Sequence, residues 1–261
     1  MGFEIEEVTG NDVSIIENNE SVLTYCYGDG VPSPYFHPLY APNGENITEE
    51  YVEDNPSGLC FSLGTVSDTS NEKVELKRNS TTLESEISES DVSGVCVNLI
   101  GRTQWKCSNL EILEICRTTV HSLTNNVRNI DITIEIHSGT HPITFMDNIG
   151  LGYSAAEMEH RKTANADGRI GELEVDQQSS KWATLCGISA NDAVGMAILP
   201  HPSNGNTSFL AKDAYQGYLF AQTPQFTLDA NTSQTLKYRV LIYVGDIFTI
   251  DIDQYYDDYK V

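Results

Sequence analysis

The strongest pattern along the chain is a two-residue alternation of apolar and polar side chains. Residues 130–137 place isoleucine at every second position, which puts four isoleucines on one face of a β-strand. Residues 112–123 alternate as well, and further strand-like segments are residues 22–27, 59–63, 94–100, 194–199, 218–221 and 236–244. Gly, Asn and Pro separate these segments, as is typical of turns. The sequence predicts an all-β fold, an antiparallel β-sandwich (supersandwich-like) with very little helix.

Two regions depart from this pattern. Residues 155–162 are the one helix candidate, of a turn or two, and residues 65–91 are rich in Ser, Thr and Glu, which indicates weakly paired strands or a mobile excursion. A chain of 261 residues can bury a substantial core, so we expect a single β-sandwich domain over residues 1–261. Its acidic C-terminal tail, at about 251–261, is expected to be solvated.

The chain is strongly acidic, with 38 Asp and Glu against 15 Lys and Arg and a formal charge of −23. Such a surface repels nucleic acid and anionic membrane, so neither is expected as a partner. Salt would relieve the self-repulsion and stabilise the fold, and the charge therefore suggests a halophile's salt-rich cytosol. The alternative is an ordinary acidic protein.

The remaining composition indicates a cytoplasmic protein without a metal or cofactor. Residues 1–7 carry acids where a signal peptide would carry a basic region and an apolar core, and no stretch reaches the ~20 apolar residues of a membrane span. The six cysteines form no Cys-x-x-Cys pair and lack zinc-ligand spacing. We interpret most of them as small buried residues.

Two histidines lie in similar settings at the ends of apolar runs. His37 lies in Pro-Tyr-Phe-His-Pro-Leu, and His201 follows the run 195–200 and precedes Pro-Ser-Asn. Prolines restrict the backbone and end sheet pairing, so each imidazole is expected at a sheet edge in a fixed position. We predict that His37 and His201 converge on one groove, unless each merely bonds its own loop.

Several blocks together resemble the family of proteins labelled methane oxygenase PmoA. These blocks are residues 34–48, 114–117, 129–131, 148–152, 201–204, 217–220 and 236–244, and the similarity covers about residues 20 to 246 in consistent order. The label does not imply membrane oxygenation here, because apolar spans are missing. The resemblance implies a β-sandwich similar in style to the galactose-mutarotase superfamily, with a carbohydrate-facing groove.

One segment departs from that family. Where the family carries Asp-His-Pro-His-His-Arg-Gly, this chain reads Asp54-Asn-Pro-Ser-Gly58. The histidines and the arginine are missing, so any acid–base or metal chemistry that they supply would be lost.

Seven residues are candidates for the site. The catalytic candidates are His201 as general acid, with His37 or Glu114 in the opposite proton role. The ligand-binding candidates are Trp182, which could stack on a sugar or be core; Asn204, a contact or a turn residue; Arg117; and Arg169, which could hold an anionic sugar or acid or could equally neutralise nearby carboxylates. Glu114 and Arg117 are three apart on a predicted strand and should face opposite sides.

Three functions remain open from the sequence. The first is binding or processing of a carbohydrate-like small molecule in a groove lined by His37 and His201. The second is a non-catalytic ligand-binding or interaction module that has lost the histidine-rich segment. The third, metal-dependent oxygenation, lacks a ligand set. The substrate and the oligomeric state are left open.

Overall fold

The computed structural model describes residues 2–8, 12–28, 31, 33–50, 57–68, 73–76, 82–107, 110–212 and 217–261. Its first strands are β1 (Phe3–Val8), β2 (Asp12–Glu17), β3 (Glu20–Cys26), β4 (Tyr35–Leu39), β5 (Leu59–Ser62), β6 (Thr65–Ser67), β7 (Lys73–Glu75), β8 (Thr82–Val92), β9 (Cys96–Cys107), β10 (Leu110–His121) and β11 (Val127–Ser138). The later elements are β12 (Ile143–Asp147), β13 (Gly150–Ala155), β14 (Glu159–Asn165), α1 (Glu172–Val175), β15 (Gln178–Ser179), β16 (Ala183–Ser189), β17 (Asp192–Pro200), β18 (Ser208–Lys212), β19 (Gly217–Gln222), β20 (Phe226–Leu228), β21 (Ser233–Val244) and α2 (Ile252–Tyr259).

These strands form three antiparallel sheets. The nine-stranded sheet has the order β1-β2-β3-β4-β5-β13-β19-β18-β15, and the eight-stranded sheet has the order β14-β16-β17-β21-β11-β10-β9-β8. A smaller sheet has the order β20-β12-β6-β7. One large apolar core contains side chains from both large sheets. The predicted all-β antiparallel sandwich is confirmed.

The alternation in the sequence explains which face of each strand is buried. The four isoleucines of β11 are almost fully buried in the core, and the residues between them are half-exposed. Strand β10 pairs with β9 and with β11 without a register shift, so its even-numbered residues face the core and its odd-numbered residues face outward. Each large sheet therefore has an inner face on the core and an outer face, and the outer faces carry the candidate chemistry.

The helix predicted for residues 155–162 is wrong. Ala155 ends β13 and pairs with Gly217, and residues 159–165 form β14 on the edge of the eight-stranded sheet. Pairing with β16 supplies the backbone hydrogen bonds of this segment, so tertiary context overrides a weak local helix propensity.

The C-terminal segment, expected to be a solvated tail, contains a helix. Helix α2 begins after Asp251, whose carboxylate accepts a hydrogen bond from the Gln254 backbone N–H. Its Ile252 and Tyr256 are buried in a second apolar cluster with Leu199 and Leu241. The helix therefore packs on the outer face of the eight-stranded sheet, while most of its acidic side chains stay exposed.

Candidate functional site

The outer face of the nine-stranded sheet contains a cross-strand row of unusual composition. Tyr35, Cys60, Gly152 and Phe220 lie in register on β4, β5, β13 and β19. Their sequence neighbours belong to the main core, so the row itself lies on the opposite side of the sheet. Tyr35 and Cys60 form a small separate cluster with Cys26 of β3. We call this surface the His37 face, because His37 adjoins Tyr35.

His37 is held at an irregularity of β4. The pairing of β3 with β4 shifts register between Leu23 and Tyr25, so β4 carries an extra residue at this point. The His37 Nδ1 atom lies 3.0 Å from the Thr48 hydroxyl, and the Cys26 thiol donates to the His37 carbonyl at 3.4 Å. These bonds fix the ring and leave Nε2 as its second functional atom.

The Thr48 hydroxyl links the protonation of His37 to its neighbours. It accepts the Leu39 backbone N–H at 3.0 Å and lies 3.2 Å from the side-chain amide oxygen Oδ1 of Asn46. Because the hydroxyl has one hydrogen, it donates either to Asn46 or to His37 Nδ1. In the first arrangement His37 Nε2 is a proton acceptor, and in the second it is a donor. Either way His37 can take part in proton transfer.

The groups around His37 are kept in their neutral forms. Burial lowers the pKa of His37 more than the charges of Glu50 and Glu49 raise it. Burial also raises the pKa of the Cys26 and Cys60 thiols to about 12. The Tyr35 hydroxyl donates to Glu50 at 3.1 Å. At neutral pH this face therefore presents an uncharged imidazole beside uncharged thiols.

Two aromatic rings extend the face on β19. The rings of Tyr218 and Phe220 are stacked with centroids 6.2 Å apart and planes 7° apart. Gly152 makes room for them, because a Cβ atom there would lie 2.4 Å from Phe220 Cδ2. Phe220 is buried, whereas Tyr218 is partly exposed together with His37, Ser62 and Gln222. The accessible groups are thus a ring, an imidazole, a hydroxyl and an amide.

Glu114 lies in the core behind this face rather than on it. Its carboxylate accepts the Trp105 indole N–H at 3.0 Å, and burial raises its pKa to about 7. A cavity of about 10 Å³ separates it from the inner face of the nine-stranded sheet, where Tyr25 and Phe36 line it. That volume suits about one water molecule. Glu114 and Arg117 face opposite sides of β10, and a ligand on the His37 face does not reach Glu114.

His201 lies on the other large sheet. It follows β17, where its backbone N–H donates to the Lys237 carbonyl, and its Nδ1 accepts from the Ser203 backbone N–H at 3.1 Å. Its ring meets the edge of Tyr259 of α2, with centroids 5.4 Å apart. His37 is on the nine-stranded sheet, and among the described residues no hydrogen bond or ring contact joins it to His201. The structure thus does not bring together the two histidines predicted to converge.

Asn204 and Trp182 have structural partners. The Asn204 side chain donates to the Lys237 carbonyl at 2.7 Å and accepts the Lys237 N–H at 2.9 Å. It therefore continues the pairing with β21 after Pro200 and Pro202, which lack N–H groups. The Trp182 indole N–H donates to Asp253 of α2 at 3.0 Å, and its ring packs against the cluster under that helix. We assign both residues to the fold.

The two arginine candidates also lie away from His37. Arg117 is on the outer face of β10 and forms an ion pair of 2.9 Å with Glu135. Arg169 is exposed in the turn after β14, where the Asn165 side chain accepts its backbone N–H. The Asp54–Gly58 segment, in which the family's histidines are replaced, lies outside the described residues except for Ser57 and Gly58.

Sequence reasoning missed Tyr35, Thr48 and Tyr218 as members of the face. Tyr35 and Thr48 lie in the same block as His37, and Tyr218 lies on a predicted strand. Their strand register, not their spacing, places them together. The signal that could have identified Tyr218 is an outward-facing aromatic residue on a strand that contains glycine.

The comparisons with known proteins establish the family. The sequence profile of a family of unknown function, DUF6807, matches residues 12–257. The chain belongs to this family. No curated protein matches this chain. The PmoA label finds no support in these comparisons.

Solved structures show only distant similarity to this DUF6807 protein. A putative kojibiose phosphorylase from the human microbiome is 13% identical with a TM-score of 0.43, and the match covers 96% of this chain and 31% of that one. A galactose mutarotase related enzyme from Lactobacillus acidophilus is 6% identical with a TM-score of 0.43, covering 94% and 97%. An aldose epimerase homologue from C. elegans is 10% identical with a TM-score of 0.33, covering 94% and 99%. All three TM-scores are below 0.5, so these similarities do not indicate a function.

Among the described residues, no three His, Cys, Asp or Glu side chains are grouped so that they could hold a metal ion. Within the same ranges, no helix has the length and apolar character needed to cross a bilayer.

Proposed function

We propose that the DUF6807 protein binds a neutral polyol or carbohydrate on the His37 face. The observation that carries this proposal is the set of accessible groups: the Tyr218 ring, the His37 imidazole, Ser62 and Gln222. Sugars offer apolar C–H faces that stack on aromatic rings, and hydroxyls that pair with neutral donors and acceptors. No group in this set needs a counter-charge.

The charges at the edge of the face favour a neutral ligand over an anionic one. Glu49 and Glu50 are exposed beside His37, and Asp12 lies in register with Cys26 on the same row. The whole chain carries a charge of −23, which adds a long-range repulsion of anions. Lys212 is the opposing charge on this face, at the Tyr218 end.

The size of the face suits more than a single sugar ring. Three strand spacings separate β4 from β19, which is about 14 Å between Tyr35 and Phe220. Between them the row contains Cys60, which is buried, and Gly152, whose space is filled by the Phe220 ring. The accessible groups therefore lie at the two ends of the row, where a disaccharide could contact Tyr218 at one end and His37 at the other.

Binding without turnover is favoured over catalysis by one observation. Acid–base chemistry at a sugar needs a proton donor and a proton acceptor at the reacting atoms. Among the described residues of this face, His37 is the one imidazole, and burial lowers its pKa, while Glu114 lies behind the sheet. Ring opening by His37 is the second candidate function.

A sugar panel tests the proposal. Glucose, galactose, maltose and inositol would each be added to the protein in a thermal-shift titration, with gluconate as the anionic counterpart. We expect a neutral member to raise the melting temperature and gluconate to have no effect, because only the anion is repelled. Failure of all four neutral compounds, or an equal shift by gluconate, contradicts the proposal.

Variants locate the binding site. His37→Gln and Tyr218→Ala should weaken binding of the active compound by about tenfold, whereas Tyr218→Phe keeps the ring and should bind normally. His141→Gln is the control, since His141 is exposed and bonded to Thr140. Unchanged affinity in both His37→Gln and Tyr218→Ala would place the ligand elsewhere. Proton NMR of glucose anomer exchange, accelerated by the native protein and lost in His37→Gln, would support catalysis instead.

A further inference from the structure

A second group of reactive side chains lies on the outer face of the eight-stranded sheet. Cys96 of β9 is directly opposite His121 of β10 in the antiparallel register. His121 Nε2 lies 2.9 Å from Asp131 Oδ2 on β11. A nucleophile, a base and a carboxylate that orients the base thus follow one another across three neighbouring strands.

The carboxylate in this group is fixed and ionised. Asp131 accepts two hydrogen bonds from Arg239, at 2.7 and 2.8 Å, in addition to the one from His121. Burial would raise the pKa of Asp131, but the bonds from Arg239 and His121 outweigh it and lower the pKa. The ring of Tyr259 covers the Arg239 guanidinium at 4.8 Å. A negative, immobile Asp131 accepts N–H from His121 Nε2.

This bond decides the role of the other ring nitrogen. When Nε2–H of a neutral imidazole donates to Asp131, Nδ1 has a free lone pair and is the basic atom. Nδ1 is not engaged by Asp131, and β9 with Cys96 lies on the other side of β10 from β11. The resting structure has no hydrogen bond between Cys96 Sγ and His121, so the contact forms by side-chain rotation. Directly opposed residues have Cβ atoms about 5 Å apart, within reach of a thiol–imidazole contact.

The surroundings of Cys96 are those of an accessible thiol. Cys96 is partly exposed, while Cys26, Cys60, Cys116 and Cys186 are buried. The Ser93 hydroxyl lies 3.3 Å from Cys96 Sγ and can donate to a thiolate. Exposed Val92 and Val95 lie beside it in the β8–β9 turn and offer an apolar surface to a small reagent.

The charges near the pair act in both directions. Asp91 of β8 is in register with Asn98 on the same face and disfavours a thiolate, and Asp131 stabilises an imidazolium. Arg128 donates to the His121 carbonyl and is paired with Glu17, and Arg239 is paired with Asp131. Transfer of the thiol proton to His121 creates a thiolate–imidazolium pair with no change in net charge.

We propose that Cys96, His121 and Asp131 form a nucleophilic thiol site for small carbon electrophiles that carry a leaving group. The Cys96 proton moves to His121 Nδ1, the sulfur forms a bond to the electrophilic carbon, and the bond from that carbon to the leaving group breaks with both electrons. With iodoacetamide the products are the S-alkylated cysteine and iodide. This site is independent of the His37 face.

Competitive alkylation tests the proposal within one molecule. Cys107 lies at the other end of β9, is also partly exposed and has Leu110 opposite it, so it serves as the internal control. Native protein would be treated with limiting iodoacetamide at neutral pH, and the modified peptides would be quantified by mass spectrometry. We expect Cys96 to react about tenfold faster than Cys107, because only Cys96 has an imidazole opposite it that can take up the thiol proton. Equal rates overturn the proposal.

Variants separate activation from mere exposure. His121→Gln and Asp131→Asn should slow Cys96 alkylation by about tenfold and leave the Cys107 rate unchanged. Arg117→Met on the same face is the control and should change neither rate. If Asp131→Asn fails to fold, His121→Gln alone decides, with circular dichroism as the check on folding. A Cys96 rate that is insensitive to His121→Gln overturns the proposal.

Discussion

The two outer faces of the sandwich treat polar groups in opposite ways. On the His37 face, burial raises the pKa of thiols and phenols and lowers that of His37, so the groups there are neutral. On the eight-stranded sheet the polar groups are ions held in pairs, and the Asp131 pKa is lowered by its partners. Both faces have buried polar atoms, but one keeps them uncharged and the other keeps them paired.

This difference explains what each face can bind. The His37 face has hydrogen-bonding capacity left for a neutral ligand, because its buried groups are uncharged and its charged side chains lie at the edge. On the outer face of the eight-stranded sheet the charged side chains are paired with one another. This face also packs against α2 and the ring of Tyr259. Neutral groups and paired ions should therefore contribute differently to the free energy of unfolding.

The largest expected effect on the free energy of unfolding concerns Glu114, a buried carboxyl group in the core. Its folded pKa of about 7 lies above the ordinary 4.5, so between these values the native state keeps a proton that the unfolded chain has released. The free energy of unfolding therefore falls as pH rises from 4.5 to 7, by about 3 kcal/mol, and levels off above 7. Glu114→Gln removes this fall while keeping an acceptor for the Trp105 indole.

Urea unfolding of both proteins at pH 5 and at pH 8 measures this effect. The stability of Glu114→Gln relative to the native protein should increase by about 3 kcal/mol between the two pH values. A relative stability that does not change with pH would mean that Glu114 is ionised in the folded state, and the description of the interior as neutral would be wrong.

An intermediate loss of stability is expected when an ion pair on the eight-stranded sheet is broken. Arg239→Met removes both hydrogen bonds to Asp131 and leaves a carboxylate that is only 27% exposed, at a cost of about 2 kcal/mol. Arg117→Met is the matched change, because Arg117 is 44% exposed in its pair with Glu135 and should cost less than about 1 kcal/mol. Urea denaturation gives both values. Equal losses would show that burial does not distinguish these pairs.

The smallest effect is expected from a neutral donor on the His37 face. Tyr35→Phe removes the hydrogen bond to exposed Glu50 and should cost about 1 kcal/mol. Tyr218→Phe is the control on the same face, since its hydroxyl has no hydrogen bond to the described residues. Thermal unfolding compares the two variants. A larger loss of stability in Tyr218→Phe would contradict the assignment of the stabilising hydrogen bond to the Tyr35 hydroxyl.

Much of the fold could be predicted from local sequence. The isoleucine alternation of β11 and the apolar runs of β17 and β21 identify strands, because one face of each is buried in the core. The helix predicted for residues 155–162 was wrong, because this segment pairs with β16, more than twenty residues away. Local helix propensity contains no information about so distant a pairing.

The candidate site was predicted only in part. His37 lies on an outer face beside prolines as its block suggests, but His201, Trp182 and Asn204 serve the packing of α2 and the end of β17. Similar flanking residues gave two histidines the same sequence setting, although their strands belong to different sheets. Motif likeness carries no information about which sheet a strand joins.

The sequence by itself determined the class of fold and the side of each strand that is buried, because both follow from a period of two residues along one strand. It also determined the charge, which disfavours anionic partners. Tertiary structure alone decided which residues lie side by side: Tyr35, Gly152 and Phe220 share one row across the nine-stranded sheet, and Cys96 lies opposite His121, which is bonded to Asp131. These contacts depend on strand order and register between distant segments, and cross-strand pairing, not sequence spacing, sets them.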